Sequence, residues 1–429
     1  MKRLKKWLLG TALTLCGSAL LAQGAQTMAP YPSELPRLDQ ALDAIRQAPQ
    51  VQAATAMIDA EAANRDALEA GPYEWAVRLE GQRRHINGEQ GTPNQRYGEW
   101  RTALERPLRL PGKAGIDSEI GEQGIAQART ALGDALHETA RGLLKGWFVW
   151  LRERESARQW TLQSESLTRQ QQATARRVQL GDAPRLELMQ SEAASAQANA
   201  ALAQATARVA VAAAELGARF PALALPADVV LSKPQALTGS LAQWREHLLE
   251  HNHELILARS ESQRARLLAA RTDAEQRPDP TIGFHVGSDR GGAERLTGIS
   301  LSIPLPGQAR AANARRETAL ASAAAQREAA TRARINAGIA AGLAFAEAAY
   351  ASWQRAEDAA QRIEQATALT VRARTLGEAG LGDVLLAQRQ ANEARLGANS
   401  ARLDALETRY RLEVDAHHLW PVGESEHSN

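Results

Sequence analysis

Two short turns of sequence recur at the same distance in the two halves of this chain, and that distance constrains what it can fold into. Pro111-Gly112 is followed by Gly181, and Pro306-Gly307 by Gly377. Each gap holds about 70 residues dominated by Ala, Arg, Gln and Glu, a mix that loses little on entering a helix. At ~1.5 Å per residue each is ~100 Å of helix. That exceeds the diameter of an ordinary domain, so the chain is built to cross a distance. The recurrence says that it does so with two equivalent halves.

Elsewhere the composition points to long helices too. Aromatic residues are scarce, and after the N-terminus only Lys113, Lys145 and Lys233 supply lysine. The dispersed charge reads as a solvated helix face, so no nucleic-acid partner is expected. Residues 1–24 read as a secretory signal peptide. Lys2, Arg3, Lys5 and Lys6 form its charged region, Trp7 to Leu21 its apolar region, and Ala22-Gln23-Gly24 its cleavage site. These four cations account for the positive formal charge of the whole chain, and the mature remainder is slightly acidic. Cys16, the sole cysteine, lies inside the apolar region behind Leu15, where a lipidation signal wants a small residue. Past the leader there is no thiol, so packing alone stabilises the fold.

Periodicity then divides the chain. Residues 25–220 read as a first repeat with its tip near 181, 221–240 as a connector, 241–420 as a second repeat with its tip near 377, and 421–429 as a flexible tail. Within the first repeat, Pro30, Pro32 and Pro36 mark an extended arm. A helix comes next, from Leu38 to about Ala70, with a break or restart at Pro49. In Tyr73–Glu80 the period changes to two: Trp75, Val77 and Leu79 alternate with Glu74, Arg78 and Glu80. Trp100, Thr102 and Leu104 alternate with Arg101 and Glu105 in the same way, after a loop at Gly88–Pro93. The second repeat has a helix from Leu241 to about Glu275. Ile282, Phe284 and Val286 then form one alternating strand, Ser288–Gly292 a loop, and Ile299, Leu301 and Ile303 a second strand. On the long helices, Leu132, Leu136, Leu143, Trp147 and Trp150 form one apolar seam, and Ile335, Ile339, Leu343, Tyr350 and Trp353 another. The Ala between them allows coiled-coil-like close approach.

Four strands with one apolar face, one charged face and aromatics at their ends cannot close a barrel, and an open sheet leaves two edges unpaired. Lipid forbids unpaired backbone groups, yet the alternation suits an outer-membrane barrel. Three protomers resolve the conflict by giving twelve strands. The expected membrane-facing residues are Trp75, Val77, Leu79, Trp100, Phe284, Val286, Ile299 and Leu301. A soluble sheet with one wet face has the same alternation.

The duplicated order of helix, strand pair, long helix, Gly break and return helix resembles the outer-membrane efflux factor (TolC-like) family. The local matches are RPLRLPGKAG at 106–115 and SIPLPGQARA at 302–311, similar to the family's Pro-x-x-x-Gly-Lys-type element. The tips RRVQLGDAPRLELMQSE at 176–192 and RARTLGEAGLGDVLLAQ at 372–388 match as well. Their wording is most like the CzcC-type heavy-metal branch. The resemblance implies a mainly α fold with a small β part: a long α-helical coiled-coil tunnel in the periplasm, joined to a homotrimeric twelve-strand β-barrel in the outer membrane of a Gram-negative bacterium. It also implies docking of a periplasmic adaptor (membrane fusion protein) and an inner-membrane pump of RND type, with heavy-metal cations as cargo and no cofactor. Carried over residue by residue, Leu180, Gly181, Leu376 and Gly377 are adaptor-docking tips, and Glu187 and Asp383 line the aperture. A carboxylate ring there attracts cations. The chain departs from the family at Leu386, where a second acid is usual, at Arg374, where a gate aromatic often sits, and at Ala379, which replaces a gate-linking Arg. A differently latched aperture is therefore expected.

Other readings of the chain are a drug, small-molecule or type I secretion duct, and a periplasmic coiled-coil structural protein. His247-Leu248-Leu249-Glu250-His251 spells H-x-x-E-H, a zinc-peptidase pattern, but in a Glu-rich chain it is weakly specific, and no enzyme is expected. His247, His251 and His253 form a candidate metal group. His417, His418 and His427 form another, which reads first as a solvated tail. Gly112-Lys113 and Gly291-Gly292 lack the spacing of a phosphate loop.

Overall fold

A computed structural model describes residues 31–88, 91 and 93–421. The leader, Cys16 and His427 lie outside the described residues. The chain runs α1 (Leu38–Arg46), α2 (Pro49–Ala70), β1 (Ala76–Ile86), β2 (Gln95–Pro107), α3 (Lys113–Gln179) and α4 (Arg185–Arg219). It continues with α5 (Leu241–Glu250), α6 (His253–Ala274), β3 (Thr281–Asp289), a 3-10 turn at Arg290–Gly292, β4 (Glu294–Ser302), α7 (Gln308–Thr375) and α8 (Leu381–Asp415). The long helices α3 and α7 hold 67 and 68 residues, and their return helices α4 and α8 hold 35 each.

Local chemistry explains the boundaries. Pro49 opens α2 at its first turn, where a missing N–H costs nothing. Gly181 and Gly377 end the long helices at φ +82° and +83°, a region that side chains avoid. The sequence from Leu241 to Glu275, expected as one helix, is two. α5 stops at Glu250, and Asn252 restarts the chain by accepting the Leu255 N–H on its side-chain oxygen at 2.9 Å. Ser288 and Asp289, expected in a loop, belong to β3.

The helices pack side by side: α3 contacts α2, α4, α6 and α8, and α7 contacts α6 and α8. Much of their length is held by Ala and Ser, but one stretch has a dense core. Leu136, Leu143, Trp147 and Trp150 of α3 meet Leu216 of α4, Phe220, and Leu403, Leu406 and Tyr410 of α8. Ala41 and Ile45 of α1 join them, as do Leu419 and Trp420 beyond α8. The Trp147 indole donates to the Glu34 carbonyl at 2.7 Å, and the Tyr410 hydroxyl donates to Oε1 of the fully buried Glu34 at 2.6 Å. The segment after α8 is therefore not a solvated tail. Burial of Leu419 and Trp420 pins it, and it carries His417 and His418 back onto the helices. The second seam is looser: Ile335 and Leu343 are buried, Ile339 packs beside them, and Tyr350 and Trp353 are half-buried with their rings 5.8 Å apart.

The four strands form one antiparallel sheet in the order β1-β2-β3-β4, with β1 and β4 as its edges. Register places Val77 beside Leu104, Leu104 beside Phe284, and Phe284 beside Ile299. The next row is Leu79, Thr102, Val286 and Thr297. Among the described residues no helix is long and apolar enough to cross a membrane.

Candidate functional site

Two regions carry the features expected to act: the outward face of the sheet and the hairpin tips. On the sheet, the seven residues expected to face lipid that lie in strands fall on one side, because strands in this register alternate faces with the same parity, and Trp75 lies just before β1. Val77, Leu79, Phe284, Ile299 and Leu301 are more than half exposed, and Ile303 and Leu305 continue the apolar face below β4. Trp75 and Trp100 are exposed as well, with the Arg106 guanidinium lying 5.3 Å from the Trp75 ring. The opposite side carries Arg78, Glu80, Arg101, Glu105 and His285. Arg78 pairs with Glu105 at 3.0 Å and Arg84 with Glu99 at 2.9 Å. Apolar side chains thus crowd the helix-proximal part of the uncovered face, which carries Arg83, His85 and Arg96 toward the β1–β2 turn, and charges crowd the other face.

Where the sheet meets the helices, a polar network joins the two halves of the chain. Lys113 opens α3 and is 2% exposed, yet its ammonium donates to the Arg277 carbonyl at 2.8 Å and to Asp279 Oδ1 at 2.9 Å. Asp279 also accepts from the Leu110 N–H at 3.0 Å and the Tyr73 hydroxyl at 2.8 Å. Burial alone would raise the Asp279 carboxyl, but the bonds from Leu110, Lys113 and Tyr73 hold it below the usual carboxylate range. Burial and the bond to Asp279 push the Tyr73 phenol up to about 12. Arg271 bridges Asp117 and Glu275 beside this network.

At the tips, the residues named for docking are presented to solvent. Leu180 and Leu376 are 76% and 67% exposed, each one residue before its left-handed Gly, and Leu186 and Met189 are exposed nearby. The two acids differ in their surroundings. Glu187 lies in the first turn of α4 and accepts from Arg374 Nη2, at the end of α7, at 2.6 Å. Arg177 Nη1 is 4.0 Å away. Asp383 instead caps its own helix, its Oδ2 accepting the Gly380 N–H at 2.9 Å. The Arg374–Glu187 pair ties one hairpin to the other and was not legible in sequence, because its partners lie 187 positions apart. Its only sequence signal was the departure at Arg374 itself.

A third grouping brings together residues that the sequence held apart. His247, His251 and His253 meet His417, His418 and also His137 of α3. His247 and His251 do lie together, with ring centres 4.4 Å apart, but Glu250, the last residue of α5, is exposed, and His251 caps the helix end. Burial, with the neighbouring His417, His137 and His251, pushes His253 down to about 4.

No protein-family model matches this sequence, and no curated protein matches it. Solved structures do. The chain superposes on the CmeC outer membrane channel of Campylobacter jejuni with a TM-score of 0.72 at 13% identity, covering 90% of this chain and 86% of that one. For the outer membrane protein VceC of Vibrio cholerae the TM-score is 0.68 at 16% identity, covering 90% and 96%. For CusC, a protein described through its transmembrane channel formation, it is 0.65 at 14% identity, covering 88% and 91%. At such identities the likeness establishes the fold: this chain has the fold of outer-membrane channel proteins.

Proposed function

We propose that the chain is the outer-membrane channel of a tripartite efflux system, a passive exit duct fed by an inner-membrane pump through a periplasmic adaptor. The observation that carries this reading is the uncovered apolar face of a sheet with two free edges, set on helices of ~100 Å. Three copies close the edges into twelve strands and leave no backbone group unpaired in lipid. The charged face then lines the lumen. The matched helix lengths support two equivalent halves whose tips reach one plane. The exposed Leu180 and Leu376, with Gly181 and Gly377, are the proposed adaptor contacts. An RND-type pump and heavy-metal cations are the proposed partner and cargo, resting on the CzcC-like wording of the tips. A drug or small-molecule duct is the second reading of the cargo.

In this reading Glu187, Arg374 and Asp383 set the aperture. Arg374 holds the Glu187 carboxylate and so links the two hairpins of one protomer. Arg374→Ala frees a carboxylate and a hairpin together. The expected result in planar bilayers is higher single-channel conductance and stronger cation selectivity than the parent, while Glu187→Ala with Asp383→Ala weakens that selectivity. Selectivity unchanged by both variants would remove the aperture from the tips. Absence of any conductance from the purified parent would overturn the duct itself.

A further inference from the structure

The uncovered face of the sheet changes character toward the end away from the helices. Strand parity places every acid of the four strands, Glu80, Glu99, Glu105, Asp289 and Glu294, on the charged face. The uncovered face has no strand acid, yet it carries bases. Arg106 lies at its helix end, where it donates to the Tyr73 carbonyl at 3.0 Å. The others gather at the opposite end. Arg295 shares a row with Gly81, Trp100 and Ser288. Arg83 stands in the next row, opposite Gly98, and His85 and Arg96 face each other in the row after that.

These bases are exposed and open to an anion. The ion pairs Arg78–Glu105 and Arg84–Glu99 use the other face, and among the described residues no carboxylate pairs with Arg83, Arg96 or Arg295. Arg96 Nε donates to His85 Nδ1 at 3.2 Å, which leaves the guanidinium charge uncompensated. Beside them the sheet is bare: a Cβ at Gly81 or Gly98 would meet nothing within 4 Å. The groove there holds about 410 Å³ and is lined by Arg83, Arg84, His85, Arg96, Tyr97 and Gly98. Its height suits a lipid headgroup. Trp100 stands where an aromatic girdle would end the hydrocarbon. At ~3.4 Å per residue, Arg83 lies ~7 Å and Arg96 ~14 Å beyond that row along the strands. A strand tilt of ~40° reduces these to heights of about 5 and 10 Å, and the headgroup layer is ~5–7 Å deep on each side.

We propose that Arg83 and Arg96, flanked by His85 and Arg295, bind the headgroup phosphates of an anionic lipid in the leaflet away from the helices. Planar guanidinium groups match phosphate oxygens two at a time. The occupant is a lipid, because the basic rim continues directly into the apolar face. Along β1, Val77 and Leu79 precede Gly81, Arg83 and His85 on the same side. Acyl chains laid on Val77 and Leu79 bring a phosphate to Arg83. The proposal rests on the membrane reading of this face, and the test keeps the two apart.

The full chain is first reconstituted into phosphatidylcholine vesicles and floated, and the detergent-purified protein is then titrated with diphosphoryl lipid A or phosphatidylcholine under native mass spectrometry. Parent and Arg83→Gln/Arg96→Gln are both expected to float, since neither arginine touches the apolar rows. The parent is expected to prefer diphosphoryl lipid A by at least ~10-fold. Each arginine near an anionic surface contributes a factor of ~5, so the double variant is expected to lose about 30-fold in affinity for that lipid and little for phosphatidylcholine. Arg78→Gln/Arg101→Gln removes the same charge from the other face and is expected to bind like the parent. A parent that floats but shows no preference for diphosphoryl lipid A overturns the proposal and leaves the membrane reading standing. Equal losses in the two double variants, or displacement of the lipid by equimolar inorganic phosphate, also overturn it. A parent that fails to float overturns both.

Discussion

A chain carrying Val77→Arg and Ile299→Arg is expected to lose membrane insertion altogether. The two positions end one row of the sheet, Val77-Leu104-Phe284-Ile299, and are 65% and 84% exposed. In an outer-membrane barrel an arginine on the lipid face costs ~2–4 kcal/mol near the midplane. Three protomers would carry six, so the cost per trimer is of order 12–24 kcal/mol, as large as or larger than the whole stability of an ordinary domain. Gln82→Arg is the control. Gln82 lies on the charged face and donates to Glu99 at 2.7 Å, and arginine there keeps a donor for that carboxylate. The control should stay with the outer-membrane fraction after an alkaline wash, and the double variant should not. Insertion of the double variant at the parental level would mean that this face meets water, and the sheet would be a soluble one.

This face was legible in sequence because a strand's period is two. Alternation along each strand assigns each side chain to a face, and antiparallel pairing in register keeps those faces together. The hairpin tips were legible for a similar reason. A left-handed turn selects Gly at 181 and 377, and the residues around it mark the end of a long helix. Features that depend on distant parts of the chain meeting were not legible. The histidine group joins residues as far apart as His137 and His417, and no local pattern announces it. The burial of Leu419 and Trp420, which brings His417 there, depends on a core assembled from α1, α3 and α8. The break before α6 did have a local signal, Asn252 as a helix cap with Glu254 in the first turn, masked by good helix formers on both sides. Lys113 was visible in a Pro-x-x-x-Gly-Lys element, but its partner Asp279 was visible only as a residue between two prolines.

That pair carries the second large effect. Asp279→Ala is expected to destabilise the protein by ~3–5 kcal/mol, because it leaves a buried ammonium with an incomplete set of partners. Lys113 would keep the Arg277 carbonyl and, at 3.4 Å, Glu275, which places the loss nearer the lower figure. The Leu110 N–H and the Tyr73 hydroxyl would lose their acceptor as well, each about 1 kcal/mol, which raises it again. Lys113→Met in the Asp279→Asn background tests the coupling. Asn still accepts from Leu110, and Met fills the space of the lysine stem without a charge. The double variant should therefore cost less than the sum of its singles, by ~1–3 kcal/mol. The pair also predicts acid sensitivity of one sign. Asp279 is held below its unfolded pKa, so its contribution is complete above about pH 4 and is lost as pH falls through the depressed folded value. Thermal midpoints in detergent, measured from pH 7 down to pH 3, should fall more steeply for the parent than for Asp279→Asn. Parallel curves, with additive losses in the cycle, would mean that Lys113 is held by the Arg277 carbonyl and Glu275 without help from Asp279.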